Sequence, residues 1–450
     1  MSDASGEATS PVAAAGSMDP LPRELLLPRE GRPTGVLKER AEDFLVEELP
    51  LYDPCGEGEH LYLGVQKRHM PHGELIRLLQ RHFGVDESAI GAAGMKDRIA
   101  LVRQTLSVHL PGRARSGPIG AIDLGTDRAT VLWAAWHSNK LRRGHLKGNR
   151  FVIRIRRIDP LAAPAIWRRL RHLAAQGTPN YFGAQRFGYR RNTHRLGALL
   201  LAQDWEGLLG ELVGARGSAY PDHQRACREA FDEGRLAEAL AGWGANDHSE
   251  RTALRKLEKF GKPRRAVLAV GDHTRSFWVS ALQAAAFNRL LDARLRAGSL
   301  ASLGEGDVAF RHQGGACFLV GAVDLAGDAL APRLARGEIS PAGPLWGAKL
   351  LAAGGATAAV ERDALREFGV EPASLESGPD AAPGARRPYR VFPGSPELDA
   401  GVDEHGGYVK VAFDLPKGAF ATVVLRELID AQPAEPRPGG KPGEADLDEE

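Results

Sequence analysis

The segment best suited to chemistry is Gly91–Val108, which reads GAAGMKDRIALVRQTLSV. Four small residues lead into Met95-Lys96-Asp97-Arg98, so Asp97 stands between two cations in the sequence. A nearby opposite charge keeps a carboxyl group ionised, and an ionised aspartate can act as a nucleophile. The same pattern also fits a turn that is held by a salt bridge. Taken alone, the segment leaves both interpretations open.

A second candidate is the basic stretch Lys140–Arg157 (KLRRGHLKGNRFVIRIRR), which holds eight Lys and Arg residues and no Asp or Glu. Such a block can neutralise the phosphates of a nucleic acid. Trp133 and Trp136 precede it and Phe151 lies inside it, and splayed-out bases stack on aromatic side chains. These rings favour a nucleic-acid surface over the alternative, which is a solvated loop followed by an amphipathic strand.

The third candidate is Thr178–His194 (TPNYFGAQRFGYRRNTH), where aromatic residues alternate with Arg186, Arg190 and Arg191. Two glycines, Gly183 and Gly188, separate these groups, and asparagine and glutamine residues add amide hydrogen-bonding groups. The pattern fits contact with a nucleic acid and a structural linker equally well.

The rest of the sequence excludes several classes of function. The 450 residues carry a formal net charge of +2, from 59 Lys and Arg against 57 Asp and Glu, so any basic surface must be local. No apolar run is long enough to span a membrane and no signal peptide is present, so we expect a cytoplasmic protein without a membrane partner. No G-x-G-x-x-G, P-loop, H-E-x-x-H or G-x-S-x-G motif occurs, and the three cysteines form no C-x-x-C pair. We therefore expect neither a metal nor a nucleotide cofactor.

The elements that must position these segments change in type along the chain. Alternating apolar residues predict strands at 35–50, 59–65, 105–110, 130–137, 150–158 and 307–320, and again from 408. Helical spacing predicts helices at 72–83, 162–175, 194–213, 223–241, 250–260 and 276–296. Residues 352–385 read as a loose Ala/Gly/Pro-rich stretch, and residues 1–20 and the acidic 433–450 as disordered tails. A strand-rich start, a helical middle and a strand-rich end indicate one domain inserted into another.

Taken together, these segments resemble the TruD family of tRNA pseudouridine synthases. The resemblance covers roughly residues 30–430, and the matching segments follow the family's order. They are EDFLVEELP, GEGEHLYL, AGMKDRIALVRQ, LRRGHLKGNRF, PNYFGAQRFG, SFWVSALQAAAFNRLL, PLWG and LPKGAFATVVLREL. One residue departs from the family pattern, because Val102 stands where a threonine is usual.

The resemblance implies a fold and an activity. The fold is α+β, a pseudouridine-synthase domain on a mixed, largely antiparallel sheet (residues 21–177 and 387–432) with the family's own α/β domain inserted at 178–386. The activity is isomerisation of a uridine in tRNA, typically at position 13, to pseudouridine without metal or organic cofactor. The N1–C1′ bond is cleaved, the uracil rotates, and C5 is joined to C1′. Asp97 matches the nucleophile. The expected partner is tRNA, and the chain is expected to act as a monomer.

The resemblance also assigns the residues around the nucleophile. Lys96 is the cation that keeps the aspartate charged or contacts phosphate. Asn149 and Phe151 match a substrate-binding pair, an amide for the uracil edge and a ring to stack on it. Phe44 and Phe420 match aromatic positions of the same pocket, although without the resemblance both would be interpreted as core residues. Two other functions remain as alternatives, an RNA-binding or RNA-folding module without catalysis and a nucleoside hydrolase that releases free uracil.

Overall fold

Two units make up the chain in the computed structural model, which describes residues 19–94, 100–112, 115–116 and 119–432. The sheet unit contains residues 25–178 and 391–432, and the helical unit contains residues 19–24 and 179–390. The chain therefore leaves the sheet unit after residue 178 and returns to it at residue 391.

The sheet unit contains most of the strands. Its strands are β1 (Thr34–Val36), β2 (Phe44–Pro50), β3 (Glu57–Gly58), β4 (His60–Arg68), β5 (Ile90–Ala92), β6 (Leu101–His109), β7 (Arg115–Ser116), β8 (Ala129–His137) and β9 (Leu146–Arg156). After the helical unit follow β16 (Gly394–Asp403), β17 (Gly406–Pro416) and β18 (Asp430–Gln432). Its helices are α1 (His72–Phe83), α2 (Ala163–Gln176) and α14 (Ala421–Leu428).

One sheet, of ten strands in the described part of the chain, organises this unit. Its order is β16-β17-β9-β2-β6-β4-β8, with β1 beside β9 and β18 and with β5 beside β6. Pairing is antiparallel along this order except between β2 and β6, which run parallel. The sheet is therefore mixed and largely antiparallel, as predicted.

Two apolar clusters hold helices against this sheet. One cluster joins the inner side chains of β2, β9 and β17 with Ile166, Leu170 and Leu173 of α2 and with buried residues of α14. The other joins β4 and β6 with Leu75 and Leu79 of α1. These leucines and isoleucines follow one another at three- and four-residue spacing, which places them on one side of each helix. The strands that carry the predicted site thus rest on a packed core.

The helical unit is built around a long helix. It contains β11–β14 (Val308–Arg311, Cys317–Leu319, Ile339–Leu345, Ala385–Pro388), and β10 (Thr178–Pro179) and β15 (Arg390–Val391) lie where the chain passes between the units. Its helices are α3 (Thr193–Leu201), α4 (Trp205–Val213), α5 (Arg225–Asp232), α6 (Leu236–Gly242), α7 (His248–Phe260), α8 (Pro263–Leu268), α9 (Asp272–Arg296), α10 (Ala322–Ala326), α11 (Leu330–Ala335), α12 (Gly355–Arg366) and α13 (Ala373–Glu376). Fourteen residues of α9 are buried. No helix within the described ranges is long and apolar enough to cross a membrane.

Two parts of this unit differ from the prediction. The stretch 352–385 is not loose, because it contains α12 and α13 and buries Leu365 and Phe368. Residues 21–24, predicted to belong with the strands, instead belong to the helical unit. The backbone N–H groups of Arg23 and Glu24 donate to Oδ1 of Asp292 on α9 at 3.1 and 3.2 Å. Short polar contacts of this kind leave no periodic signal in the sequence.

Candidate active site

One face of the three neighbouring strands β2, β9 and β17 carries several of the predicted site residues. The register pairs Val46 of β2 with Phe151 of β9, and Phe151 with Phe413 of β17. Because side chains alternate between the two faces of a strand, Phe44, Asn149 and Phe151 project from the same face. The sheet thus brings together three predicted residues from strands that are about a hundred residues apart in the sequence.

The aromatic rings on this face contact one another. The ring centroids of Phe44 and Phe151 are 6.4 Å apart in an edge-to-face arrangement, and those of Phe151 and Phe413 are 5.9 Å apart. Phe44 is 3% exposed and Phe151 is 8% exposed. The Nζ atom of Lys38 lies 5.0 Å from the centroid of the Phe44 ring. The two predicted pocket rings are therefore fixed by packing, with only a small part of each surface open.

Asn149 stands at the end of this aromatic row. It is half-buried, and the register places it between Glu48 of β2 and Leu415 of β17. The preceding residue is Gly148, where a Cβ would clash with the backbone carbonyl oxygen of Leu415. Only glycine lets β17 approach this closely. Glu48 is a buried carboxyl group on the same face, and the sequence analysis did not single it out, although it lies in the EDFLVEELP segment.

Phe420 approaches the same cluster from another direction. It is half-buried and precedes α14 as its N-cap residue, with an extended backbone (φ −112°, ψ 122°). Its neighbours Ala419 and Ala421 both pack in the cluster that contains Phe44 and Phe151. The strand β17, the turn after it and α14 thus place the fourth predicted residue between two members of this cluster.

Asp97 and Lys96 lie outside the described residues, but the residues that flank their segment are described. Ala93, on one side, is buried. On the other side Ala100 is 1% exposed and belongs to the same cluster as Phe44 and Phe151. The next strand, β6, then runs parallel to β2. The chain that follows the Lys-Asp-Arg segment therefore enters the sheet directly beside the aromatic face.

Val102, the departure from the family pattern, is a core residue. Its side chain is fully buried, and the register pairs it with Val46. A buried hydroxyl group at such a position would need a hydrogen-bond partner, whereas valine needs none. The replacement of threonine therefore has a packing explanation.

Half of the basic stretch is neutralised within the sheet unit. Arg150 forms ion pairs with Asp414 and Glu397 at 2.9 and 2.7 Å. Further along β9, Arg154 contacts Asp403 at 3.3 Å, and the buried Arg156 is paired with two carboxylates. Of the two interpretations of the basic stretch, the β9 part fits the amphipathic strand, because the partners of its arginines are carboxylates of the chain itself. Arg157 contacts Glu39 at 3.2 Å. Of the other cations, Lys147 lies near the start of β9, and Lys140, Arg142 and Arg143 lie in the connection before it.

The arginine-rich segment 178–194 is mainly a structural corner of the helical unit. Arg190 donates to the carbonyl oxygen of Ser218 at 2.6 Å, and Asn192 donates to Oε1 of Glu211 at 2.6 Å. Burial, together with the nearby Arg228, lowers the pKa of Arg190 to about 10. Arg186, also predicted, lies 5.3 Å from the ring centroid of Phe277. Of the two interpretations of this segment, the contacts favour the structural one.

The described residues place an aromatic pocket beside the strand that follows the Lys-Asp-Arg segment. Within residues 19–94, 100–112 and 119–432 no group of three or more His, Cys, Asp or Glu side chains is arranged to hold a metal ion. A reaction on a nucleobase needs rings on which the base can stack and an amide that can hydrogen-bond its edge. Both lie on this face of the sheet, beside the strand that follows the aspartate.

Comparisons with known proteins agree with this geometry. A family model described as tRNA pseudouridine synthase D (TruD) matches residues 24–428. The chain is 41% identical over 399 residues to tRNA pseudouridine synthase D of Geobacter sulfurreducens, with 88% of this chain and 94% of that protein covered. It is 34% identical over 397 residues to the protein of the same name from Anaeromyxobacter dehalogenans, with 88% and 93% covered.

A solved structure extends the comparison to the fold. It is a TruD protein from Methanosarcina mazei, with a TM-score of 0.72 and 25% sequence identity, and the match covers 93% of this chain and 97% of that one. The expected α+β pseudouridine-synthase fold is thereby confirmed. From its fold and from the match along nearly its whole length, the chain belongs to the TruD family of tRNA pseudouridine synthases.

Proposed function

We propose that Asp97 is the nucleophile with which this chain, a tRNA pseudouridine synthase and thus an isomerase, converts the uridine at position 13 of tRNA to pseudouridine. One observation supports this proposal most directly. Asn149, Phe151 and Phe44 share one face of the sheet, and Ala100, just after the Lys-Asp-Arg segment, packs in the same cluster. The chain therefore enters the region that holds the amide and the aromatic rings directly after the Lys-Asp-Arg segment.

In the proposed reaction the carboxylate of Asp97 attacks while the N1–C1′ bond of the target uridine breaks. The bond electrons leave with the uracil, which then turns so that C5 faces C1′. C5 then attacks C1′ and displaces the Asp97 carboxylate that had added there, so the C5–C1′ bond forms as the aspartate–C1′ bond breaks. C5 loses its proton, and N1 is protonated. No atom is gained or lost overall, which is why no cofactor or metal is proposed. Lys96 is proposed to keep the carboxylate ionised, since a neighbouring cation favours the charged form.

The pocket residues are proposed to hold the base through this rotation. The target nucleotide must leave its stack, at a cost of a few kcal/mol, and stacking on an aromatic ring returns about 1–3 kcal/mol per base. Phe151 is proposed to provide that surface, with Phe44 and Phe420 as further walls. Asn149 is proposed to hydrogen-bond the uracil edge. A pocket closed by rings also keeps water from C1′, where it would release free uracil.

The proposed partner is tRNA, which the cations at residues 140–147 suit. They lie at the start of β9 and in the connection before it, apart from Arg150, Arg154 and Arg156, which pair with carboxylates of the chain. A tRNA substrate also supports the proposal that the protein acts in the cytoplasm.

Mapping pseudouridine in tRNA incubated with the purified full-length chain tests the proposed function. We expect pseudouridine at position 13 after treatment with wild type and none without protein. Chromatography of the same reaction is expected to detect no free uracil. Binding without pseudouridine would instead identify the RNA-binding module, and released uracil would identify the hydrolase.

Asn149→Ala is expected to lower kcat/KM for tRNA about tenfold, because a lost hydrogen bond to an uncharged partner costs about 0.5–1.5 kcal/mol. The measurement is the initial rate of pseudouridine formation over a range of tRNA concentrations. Asn246→Ala makes the same change at an exposed position of the helical unit and is expected to leave kcat/KM unchanged. An unaltered rate in Asn149→Ala, with a lower unfolding midpoint, would assign Asn149 to strand packing alone.

A further inference from the structure

A second pocket lies in the sheet unit, at the ends of β2 and β8. Its volume is about 530 Å³, within the range of about 300–1,000 Å³ that is usual for small-molecule sites. Tyr52, His137, Lys140, Arg142 and His145 line it, and we refer to it as the His145 pocket. Lys140, Arg142 and His145 belong to the basic stretch 140–157, whereas Tyr52 and His137 lie outside it and were not predicted as site residues.

Aromatic rings form one wall of the His145 pocket. The rings of Tyr52 and His137 are stacked, with centroids 5.3 Å apart and an interplanar angle of 22°. Tyr52 is half-buried, and its hydroxyl group lies 2.9 Å from Nδ1 of His145. Below them the buried Tyr62 donates its hydroxyl hydrogen to the carbonyl oxygen of Asn139 at 3.0 Å. The buried His137 ring therefore backs the Tyr52 ring and holds it in place, and a flat, fixed ring is the type of surface on which a base stacks.

Hydrogen bonds set the role of His137. Its Nδ1 atom accepts from the backbone N–H of Cys55 at 3.1 Å, so its other ring nitrogen carries the hydrogen. Burial also lowers the pKa of His137. His137 is thus a neutral ring with one N–H group to donate, and the positive charge of the pocket comes from other residues.

The rim of the His145 pocket carries that charge. Arg142 is exposed, and its side chain makes no hydrogen bond or ion pair with the part of the chain that the structure describes. Lys140 is half-buried, and its Nζ atom uses one hydrogen on the carbonyl oxygen of Ser88, which leaves two donors. Of the seven described residues that line the pocket, Asp53 alone carries a carboxylate, and it is exposed.

The connection that forms this rim is linked to the proposed active site by one hydrogen bond and by the chain itself. The backbone N–H of Gly144 donates to the carbonyl oxygen of Ala93 at 2.8 Å, and Ala93 precedes Asp97 by four residues. His145 precedes Asn149 by four residues, so their Cα atoms are at most about 14 Å apart. A polynucleotide held at Asn149 would therefore pass within reach of the His145 pocket.

From this arrangement we propose that the His145 pocket is a second nucleotide subsite, which binds an unpaired nucleotide of the RNA close to the target uridine. Its base stacks on the Tyr52 ring, which His137 supports from behind, and its phosphate is held by Arg142 and Lys140. The proposal rests on the proposed function, because it takes tRNA as the ligand. It gives the chain a way to recognise an opened strand beside the target.

Asp53 distinguishes a nucleotide from a simple anion as the ligand. A carboxylate beside two cations weakens a site for inorganic phosphate, since it repels the ion. The amino group of a base, in contrast, donates to carboxylates, as cytosine N4 does to Asp and Glu. The pocket therefore matches the three parts of a nucleotide. Its ring can stack on the face of the base, its cations can bind the phosphate, and its carboxylate can accept a hydrogen bond from an amino group of the base.

Binding of tRNA to full-length variants at several salt concentrations tests the subsite. Arg142→Ala is expected to weaken binding about tenfold, which corresponds to about 1.4 kcal/mol. It is also expected to reduce the slope of log K against log salt by about 0.7–0.9, the value for one lost phosphate contact. Tyr52→Leu is expected to weaken binding by a similar factor without a change in slope, because it removes a ring and no charge. If both variants weakened binding only by disturbing the fold, their salt slopes would not differ from each other.

Arg81→Ala provides the matched control, since Arg81 is an exposed arginine of α1, and both its affinity and its slope are expected to equal those of wild type. If Arg142→Ala and Tyr52→Leu both bind tRNA with the affinity and salt slope of wild type, the subsite proposal is overturned.

In a competition experiment, millimolar cytidine or uridine 5′-monophosphate should displace tRNA more effectively than inorganic phosphate. Equal displacement would show an anion site only, and would also overturn the proposal. These outcomes do not depend on turnover, so a wild type that binds tRNA but forms no pseudouridine would refute the proposed function alone.

Discussion

Asp97→Asn is expected to abolish pseudouridine formation, with a loss on the order of a thousandfold or more. The amide has nearly the shape of the carboxylate but no charge, so it can neither act as the nucleophile nor stabilise positive charge that develops at C1′. Binding of tRNA is expected to stay within about threefold of wild type, because the phosphate contacts that dominate affinity remain. Single-turnover assays at saturating tRNA, together with equilibrium binding, measure the two effects separately.

A matched substitution shows whether the effect belongs to this position. Asp86→Asn changes an exposed aspartate that makes no side-chain cap hydrogen bond with the 3₁₀ turn it precedes, and it should retain full activity. Residual turnover of Asp97→Asn within tenfold of wild type would contradict the nucleophile assignment. A combined loss of turnover, tRNA binding and thermal stability would instead show that the aspartate is required for folding.

The strands that build the site could be predicted because burial leaves a period of two in the sequence. In β9, Phe151, Ile153 and Ile155 occupy every second position and are buried, and Arg154 and Arg156 follow the two isoleucines. The helix of residues 72–83 was predicted with the bounds that α1 has, since its leucines repeat at helical spacing and Gly84 follows in a left-handed conformation. Local physical rules were sufficient for these elements.

Elements that depend on their neighbours were not predictable in the same way. β16 is an edge strand of ten residues, and its sequence GSPELDAGVD has little apolar alternation. Its position is set by backbone pairing with β17, and main-chain hydrogen bonds leave no mark on side-chain types. The segment 408–428 could be read as ending in a helix or a strand, and only packing of α14 against the core decides for the helix.

The candidate site shows the same limit. The resemblance identified Phe44, Asn149, Phe151 and Phe420, but the sequence could not tell which cations of the basic stretch are available to RNA. That depends on carboxylates from distant segments, such as Asp403 beside Arg154. The density of charge in one stretch of sequence therefore overstates the free positive surface. The sequence also does not show that the arginines of β9 form ion pairs within the sheet unit, whereas the cations before β9 are the ones proposed to contact tRNA.

Arg156 forms a buried ion pair in the sheet unit, and removing one partner of this pair is expected to destabilise the fold. Arg156 is 2% exposed and Asp43 is fully buried, and Nη2 lies 2.7 Å from Oδ1. A second carboxylate, Asp403, accepts from Nη1 at 2.7 Å. Burial alone would lower the pKa of Arg156, but the hydrogen bonds to the two carboxylates outweigh it and raise the pKa above its usual value. The guanidinium group is therefore charged at every pH at which the protein folds.

Arg156→Met is expected to lower the free energy of unfolding by about 3–5 kcal/mol, because it leaves Asp43 buried without its main counter-charge. Urea unfolding of the full-length chain measures this loss. Arg157→Met makes the same change one residue further along, where the arginine is 47% exposed and faces Glu39, and should cost less than about 1 kcal/mol. Equal losses in the two variants would contradict the proposed role of the buried pair.

The double variant Asp43→Leu with Arg156→Met separates the pair itself from the cost of breaking it. Apolar replacement of both partners of a buried ion pair is often neutral or stabilising, so much of the lost stability should return. Activity is expected to recover less, because Asp43 directly precedes Phe44 and Arg156 lies on the strand of Asn149 and Phe151. The pair thereby fixes the start of β2 against β9, and with it the position of Phe44 beside Phe151. Full recovery of both stability and pseudouridine formation would show that packing alone sets this register.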